Sequence, residues 1–324
     1  MKRNRYPSVQ KRPVEGVLVI DKPTGISSYD VIRAVKRRLS AKKIGHTGTL
    51  DPLASGVLPL VINRATKVVP FLDETVKQYE GTLRLGIITD SDDSTGRVLR
   101  QIPLDWSALQ EKRIRAVFNR FVGTVKQVPP MYSAAKCRGK RLYELARRGI
   151  EVERGEREVE IHSLEIVRID LPVIDFRVSC SKGTYVRALV RKIGDALGVG
   201  AHLCCLRRVS SGPFSLREAV TLEELDTLID SGDVEKRIIT LREALGNLPE
   251  IEVDGELESR IKDGRQVFPR DLEGLQVPCL ENNQWVKIIH RGEIVAIAKA
   301  QEGMRVPRNQ SGEIPALSLL RVFA

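Results

Sequence analysis

A single carboxylate stands out by its surroundings. Asp51 lies in Gly45-His46-Thr47-Gly48-Thr49-Leu50-Asp51-Pro52-Leu53-Ala54-Ser55-Gly56, a stretch with three glycines and one proline. Glycine loosens the backbone and proline removes a donor, so no regular helix or strand is expected across it. The stretch reads as a tight loop, with Asp51 driven to an extended conformation by Pro52. Just upstream, Arg33, Lys36, Arg37, Arg38, Lys42 and Lys43 occur with no acid among residues 33–43. A carboxylate beside such a cationic run suits an acid or nucleophile that faces an anionic polymer. Taken alone, an aspartate in a loop is more often a helix cap.

Other polar clusters carry less. Asp90-Ser91-Asp92-Asp93-Ser94-Thr95-Gly96 has its glycine one place late for a calcium loop, and Gln101 stands where a glutamate is needed. It reads as a polar turn. Gly45-x-x-Gly48 is too short for a phosphate loop and lacks the Gly-Lys-Ser/Thr ending. The five cysteines, Cys137, Cys180, Cys204, Cys205 and Cys279, form no C-x-x-C pair, and the four histidines are scattered. Neither a metal site nor a disulfide framework is expected, and free thiols point to a reducing cytosol.

The chain has 324 residues and a formal net charge of +11. From residue 248 onward there are 10 basic and 12 acidic residues, which leaves 43 against 30 before it. The cationic footprint therefore belongs to the first part, and nucleic acid is the simplest partner. The N-terminus is basic but no apolar run follows it, and no segment reaches membrane-spanning length. A soluble, cytoplasmic protein is expected.

The elements that would position Asp51 can be read from periodicity. Residues 1–14 form a basic arm. Gly16 to Ile20 is a strand, Ser27 or Ser28 caps a helix striped by Val31, Ile32, Val35 and Leu39, and another helix covers Val68 to Leu72. Residues 77–86 alternate as a strand, with Tyr79, Gly81, Leu83 and Leu85 on one side. Ser107 to Phe121 is helical, and Val128-Pro129-Pro130 opens a basic excursion. Val159 to Ile169 and Val173 to Cys180 pair as strands. Lys182-Gly183-Thr184 turns into a helix with Val186, Leu189, Val190, Ile193 and Leu197 inward and Arg187 beside that stripe. Residues 221–245 are helical. The tail shows a small all-β pattern of short runs, including 277–280, 285–289, 294–298 and 317–322.

The Asp51 segment resembles the catalytic motif of the TruB-type pseudouridine synthases. Companion segments resemble the same family: Gly16 to Ser28, Lys77-Gln78-Tyr79, Pro129 to Ala134 with Leu142-Tyr143-Glu144, Cys180 to Arg187, and Leu206-Arg207-Arg208. The tail is similar, more loosely, to a PUA domain. The resemblance implies an α/β (α+β) chain, with a mixed, largely antiparallel sheet flanked by helices and a small all-β PUA-like barrel. It divides the chain into a catalytic domain, 1–247, with a thumb-like basic insertion about 127–153, and an RNA-binding domain, 248–324.

It also implies the chemistry. Asp51 is the nucleophile or base, Arg187 its counter-ion, and Tyr79 stacks on the target base. His46 fills the place of the flipped base, and Tyr185 and Leu206 form the pocket wall. Lys22 and Pro23 shape the pocket floor. The substrate is the T-loop uridine at position 55 of tRNA, with no cofactor, no metal and no obligate protein partner, and the enzyme is a monomer. Two alternatives stand beside it: a synthase with another or guide-dependent RNA target, and a non-catalytic tRNA-folding protein. The tail is expected to be dispensable for the chemical step.

Overall fold

The computed structural model describes residues 14–323 except 73–74, 104, 107–108, 134, 138, 147 and 302–314. Most of the basic arm, Ser107, Ala134, Arg138 and Arg147 thus lie outside the described residues.

A nine-stranded mixed sheet forms the body. Its main path runs 16–22, 54–62, 201–211, 76–85, 173–181, 157–170, 123–127. Neighbours are antiparallel, except that Leu206–Arg208 runs parallel to Ala54–Gly56. Strand Val76–Leu85 lies centrally. It buries Tyr79, Gly81, Leu83 and Leu85 and exposes residues between them, the alternation of a strand with one covered face. Its partner Val173–Ser181 buries Ile174, Phe176, Val178 and Cys180 in the same way.

Helix Ser28–Arg38 starts with a capping box between Ser27 and Asp30. It turns Val31 and Val35 into the core and carries Lys36, Arg37 and Arg38 in its last turn, where cations suit the helix dipole. Helix Val186–Leu197 packs on strand Ala201–Ser211 and buries Val186, Leu189, Val190, Ile193 and Leu197.

Several elements differ from the periodicity reading. Residues 63–71 form two short 3-10 turns, Asn63–Lys67 and Val69–Phe71, instead of a helix over Val68 to Leu72. Pro70 cannot donate to a preceding carbonyl and its ring crowds the turn before it, which disfavours an α-helix through this point. The helix expected from Ser107 begins at Glu111 and ends at Asn119. The 221–245 stretch breaks into Leu222–Ser231, the 3-10 turn Val234–Arg237 and Leu241–Ala244. Gly232 at φ 79° ends the first, and Thr240 starts a new capping box.

The tail forms a second, four-stranded sheet, in the order 250–252, 285–290, 293–300, 317–322. It also carries a helix, Gly255–Lys262, capped by Asp254, which alternation did not reveal. Residues 277–280 are irregular. Among the described residues no helix is long and apolar enough to cross a membrane.

The second sheet is not a loose appendage. Ile289, Ile294, Ile297 and Phe323 share one buried cluster with Val17, Val19, Val57, Val61 and Leu245 of the body. Lys287 is buried between the two parts. Its ammonium donates to the Arg242 and Leu245 carbonyls and pairs with Glu250 at 3.3 Å. Truncation after Asn247 therefore uncovers part of the body's own core, a cost in stability separate from the expected sparing of the chemical step. We expect the truncated chain to lose more than about 3 kcal/mol of stability, the scale of large cavities, measured by urea unfolding. An unchanged midpoint would show that the body closes without the tail.

Candidate active site

Asp51 sits in the connection of a hairpin. Strand Ile44–His46 pairs antiparallel with the far end of Ala54–Ile62, so both ends of the glycine-rich stretch join strands and only 47–53 is loop. Gly56 has φ 100°, and a Cβ there would collide with the Arg208 backbone. Glycine at this position lets two strands approach and tolerates the left-handed conformation.

Three polar groups grip the loop through its main chain. The Ser28 hydroxyl donates to the Leu50 carbonyl at 2.9 Å and accepts from the Leu50 amide at 2.8 Å. The fully buried Arg208 guanidinium donates to the carbonyls of Gly48 at 2.9 Å and Val57 at 2.7 Å. The Lys22 ammonium, also without exposed surface, donates to Pro23 and Ile26 and reaches the Pro52 carbonyl at 3.5 Å. Burial pushes Lys22 down to about 8, against the pull of Asp51.

Beyond the loop lies a pocket of about 240 Å³. Asp51, Tyr79, Tyr185, Arg187 and Leu206 all line it, together with Lys77, Ser133 and Thr184. These residues come from the loop, the central strand, the start of helix Val186–Leu197, strand Ala201–Ser211 and the 128–135 segment. His46 is not among the lining residues. It ends strand Ile44–His46, half-buried, with Nδ1 unpartnered. Burial and the nearby cations Arg208, Lys77 and Arg141 hold its imidazole below the usual range, which favours the neutral ring.

Arg187 pairs with Asp51 at 2.9 Å. It is 3% exposed, so it lies in the core rather than beside it, contrary to the stripe read from the sequence. Its guanidinium also donates to the Ser91 carbonyl at 2.9 Å and the Tyr132 carbonyl at 2.8 Å, and stands 3.7 Å from the buried carboxylate of Asp93. Asp92 beside it pairs with Arg191 at 3.0 Å. The polar turn at 90–96 is therefore part of the site's scaffold. Its sequence signals only a turn, and nothing local announces that it lands on Arg187.

Two opposing effects act on Asp51. Burial raises its carboxyl above the ordinary carboxylate range, Asp93 adds to that rise, and Arg187 and Lys22 oppose it. Of the side chain, 38% still opens onto the pocket, so water tempers the burial. A planar group seated in the pocket would expel that water and strengthen the hold of Arg187. Burial likewise raises the Tyr79 phenol, and Arg208 opposes the rise. The arrangement offers a carboxylate with a fixed counter-ion, an aromatic face and apolar walls. Such a set can hold a flat ring and act on it as base or nucleophile. Among the described residues no cluster of histidine, cysteine, aspartate and glutamate could hold a metal ion.

Relatives agree with this picture. The chain is 42% identical to tRNA pseudouridine synthase B of Geobacter sulfurreducens, over 96% of its own length and 100% of that protein's. It is 44% identical to the enzyme of the same name from Burkholderia mallei, over 93% and 95% respectively. Among solved structures, a chain of an H/ACA RNP bound to a substrate RNA containing 2′-deoxyuridine aligns with a TM-score of 0.69 and 27% identity, covering 95% of this chain and 85% of that one. An archaeal box H/ACA sRNP Nop10-Cbf5 complex gives 0.68 and 29%, covering 97% and 89%. Fold and site thus define an isomerase built on the pseudouridine synthase scaffold. Residues 36–186 match the N-terminal domain of the TruB family pseudouridylate synthases, and residues 187–248 match the tRNA pseudouridylate synthase B C-terminal domain. The chain belongs to the TruB family.

The electrostatics give a direct test. The Asp51 carboxyl should titrate above about 3.9, the free value, and higher again in Arg187→Met, read by carbon NMR of labelled aspartate. Where its folded value exceeds the unfolded one, the folded chain holds more protons. Stability from this group therefore falls as pH rises through that window. A lower Asp51 titration in the variant would contradict the pairing.

Proposed function

We propose that the chain is a stand-alone tRNA pseudouridine synthase that isomerises uridine 55 in the T-loop. The observation that carries this reading is the Asp51–Arg187 pair, 2.9 Å apart, in a pocket that also holds Tyr79. Full-length relatives named as tRNA enzymes support the substrate.

The reaction breaks the C1′–N1 bond, turns the uracil and rejoins it through C5. N1 gains a proton and C5 loses one, so no atoms enter or leave and no redox partner is needed. The target base must leave its stack to reach Asp51, which lies at the pocket and not on an open surface. Tyr79 offers its ring for stacking, an interaction worth about 1–3 kcal/mol. We assign its hydroxyl the relay of the C5 proton: burial keeps the phenol neutral, so its oxygen takes up that proton as it passes its own to solvent. Arg187 keeps Asp51 ionised once the base has displaced water. Two routes use such a carboxylate, attack at C6 and removal of a C2′ proton, and both require it ionised. Tyr185 and Leu206 close the pocket. His46, held toward the neutral form and outside the pocket lining, is assigned the filling of the space that the base vacates.

RNA affinity comes chiefly from phosphate contacts. The exposed cations of helix Ser28–Arg38 and of the thumb-like 127–153 segment, with Lys140, Arg141 and Arg148, suit the T-arm. The enzyme acts in the cytoplasm as a monomer, and bare tRNA suffices without a guide.

A tRNA transcript incubated with the protein alone should gain pseudouridine at position 55, mapped by chemical probing. Modification only with added guide RNA would sink the stand-alone reading. Asp51→Asn should abolish product while tRNA binding stays within about tenfold, because phosphate contacts hold the RNA. Appreciable turnover by this variant would remove Asp51 from the chemistry.

A further inference from the structure

Tyr185 and Arg187 occupy the start of helix Val186–Leu197, yet that start lacks a local cap. Tyr185 is the N-cap residue and its side chain makes no capping hydrogen bond. The turn before it contains Gly183 at φ 85°, a left-handed conformation that glycine adopts at little cost. Something outside the helix must hold this turn.

The Lys182 amide donates to the Thr75 carbonyl at 2.9 Å, and the side chain that reaches the turn itself is Gln127. It ends strand Gly123–Gln127, at the edge of the nine-stranded sheet, and is only 3% exposed. Its Nε2 donates to the Gly183 carbonyl at 2.9 Å, and its Oε1 accepts from the Tyr185 amide at 3.2 Å. One carboxamide thus serves a carbonyl and an amide of the same turn, as a neighbouring strand would. It also supplies an N-terminal cap from a distant element. A second tie runs alongside, from the Lys192 ammonium to the Lys126 carbonyl.

We infer that Gln127 is a positioning residue for the isomerisation: it fixes the Gly183–Tyr185 turn and thereby the aim of Arg187 at Asp51. Gln127 is not among the residues lining the pocket, so it acts through others and not on the RNA. The chemistry required is narrow. Asparagine is too short, methionine offers neither a strong donor nor a strong acceptor, and an ionised glutamate presents a negative oxygen to the Gly183 carbonyl. A protonated glutamic acid, by contrast, restores one donor and one acceptor. This rests on the proposed role of the Asp51–Arg187 pair.

The test is single-turnover kinetics on a tRNA transcript at saturating enzyme, with binding measured separately and folding followed by circular dichroism and thermal unfolding. Gln127→Met should lower the saturated rate on the order of 10–100-fold, the scale of small misplacements at a reacting centre. RNA binding should change less than about threefold. Gln127→Glu adds a signature that general loosening would not give. Its rate relative to wild type should rise as pH falls and the new side chain gains its proton, while the Gln127→Met ratio stays flat. Should Gln127→Met fail to fold, the Gln127→Glu ratio decides alone. A wild-type rate in Gln127→Met, a loss confined to RNA binding, or a flat Gln127→Glu ratio overturns the inference. Wild-type protein inert on the same transcript would instead overturn the functional reading, so the two failures are distinguishable.

Discussion

A buried guanidinium sets the terms for this structure. Arg187 carries a permanent charge, and taking it out of water costs several kcal/mol unless partners replace the lost hydration. The partners are Asp51, the carbonyls of Ser91 and Tyr132, and the nearby carboxylate of Asp93. They come from segments far apart in the chain. Satisfying one side chain therefore requires the hairpin loop, the 90–96 turn and the 128–135 segment to converge on the first turn of one helix. Losing any of them leaves a charge or a polar group stranded, which is why the site is also a structural node.

The loop that carries Asp51 is held in a related way. Ser28, Arg208 and Lys22 all bind its main chain and are all buried. Main-chain grips restrain the path of the loop while leaving the Asp51 side chain free to face the pocket. Two of the three clamps are cations, and they sit close to a carboxylate, a histidine and a phenol. The ground beneath the pocket is electropositive without being exposed. Positive charge here both organises the loop and favours anions at the pocket, so structure and electrostatics share the same atoms.

The two sheets are joined differently. Apolar side chains from both form one buried cluster, and Lys287 spans the junction by donating to the carbonyls of Arg242 in a short helix and of Leu245 at its C-cap. The tail has more acids than bases, so its attachment does not depend on the charge that marks the rest of the chain. Its place is fixed by buried apolar area, which ionic screening does not weaken.

Much was legible in the sequence because it was local. Alternation along 77–86 and 173–180 identified two strands that pair in the structure, and a helix cap at Ser27 or Ser28, which the structure resolves as Ser27, and the Asp51 motif were recognisable from neighbouring residues alone. Asp51, Tyr79, Arg187, Tyr185 and Leu206 could be named, and they do line one pocket. Tertiary structure decided what they touch. Arg187 looked peripheral because a helical stripe records which face is apolar, and it is silent about a buried charge met by distant carbonyls. Asp93 and Gln127 looked ordinary because their significance lies in contacts across the sheet, to residues about a hundred and about sixty positions away. Short-range patterns fix which elements form. Sheet order, the close approach at Gly56 and the need to satisfy buried polar groups fix which side chains meet, and those constraints exist only once the chain has closed on itself.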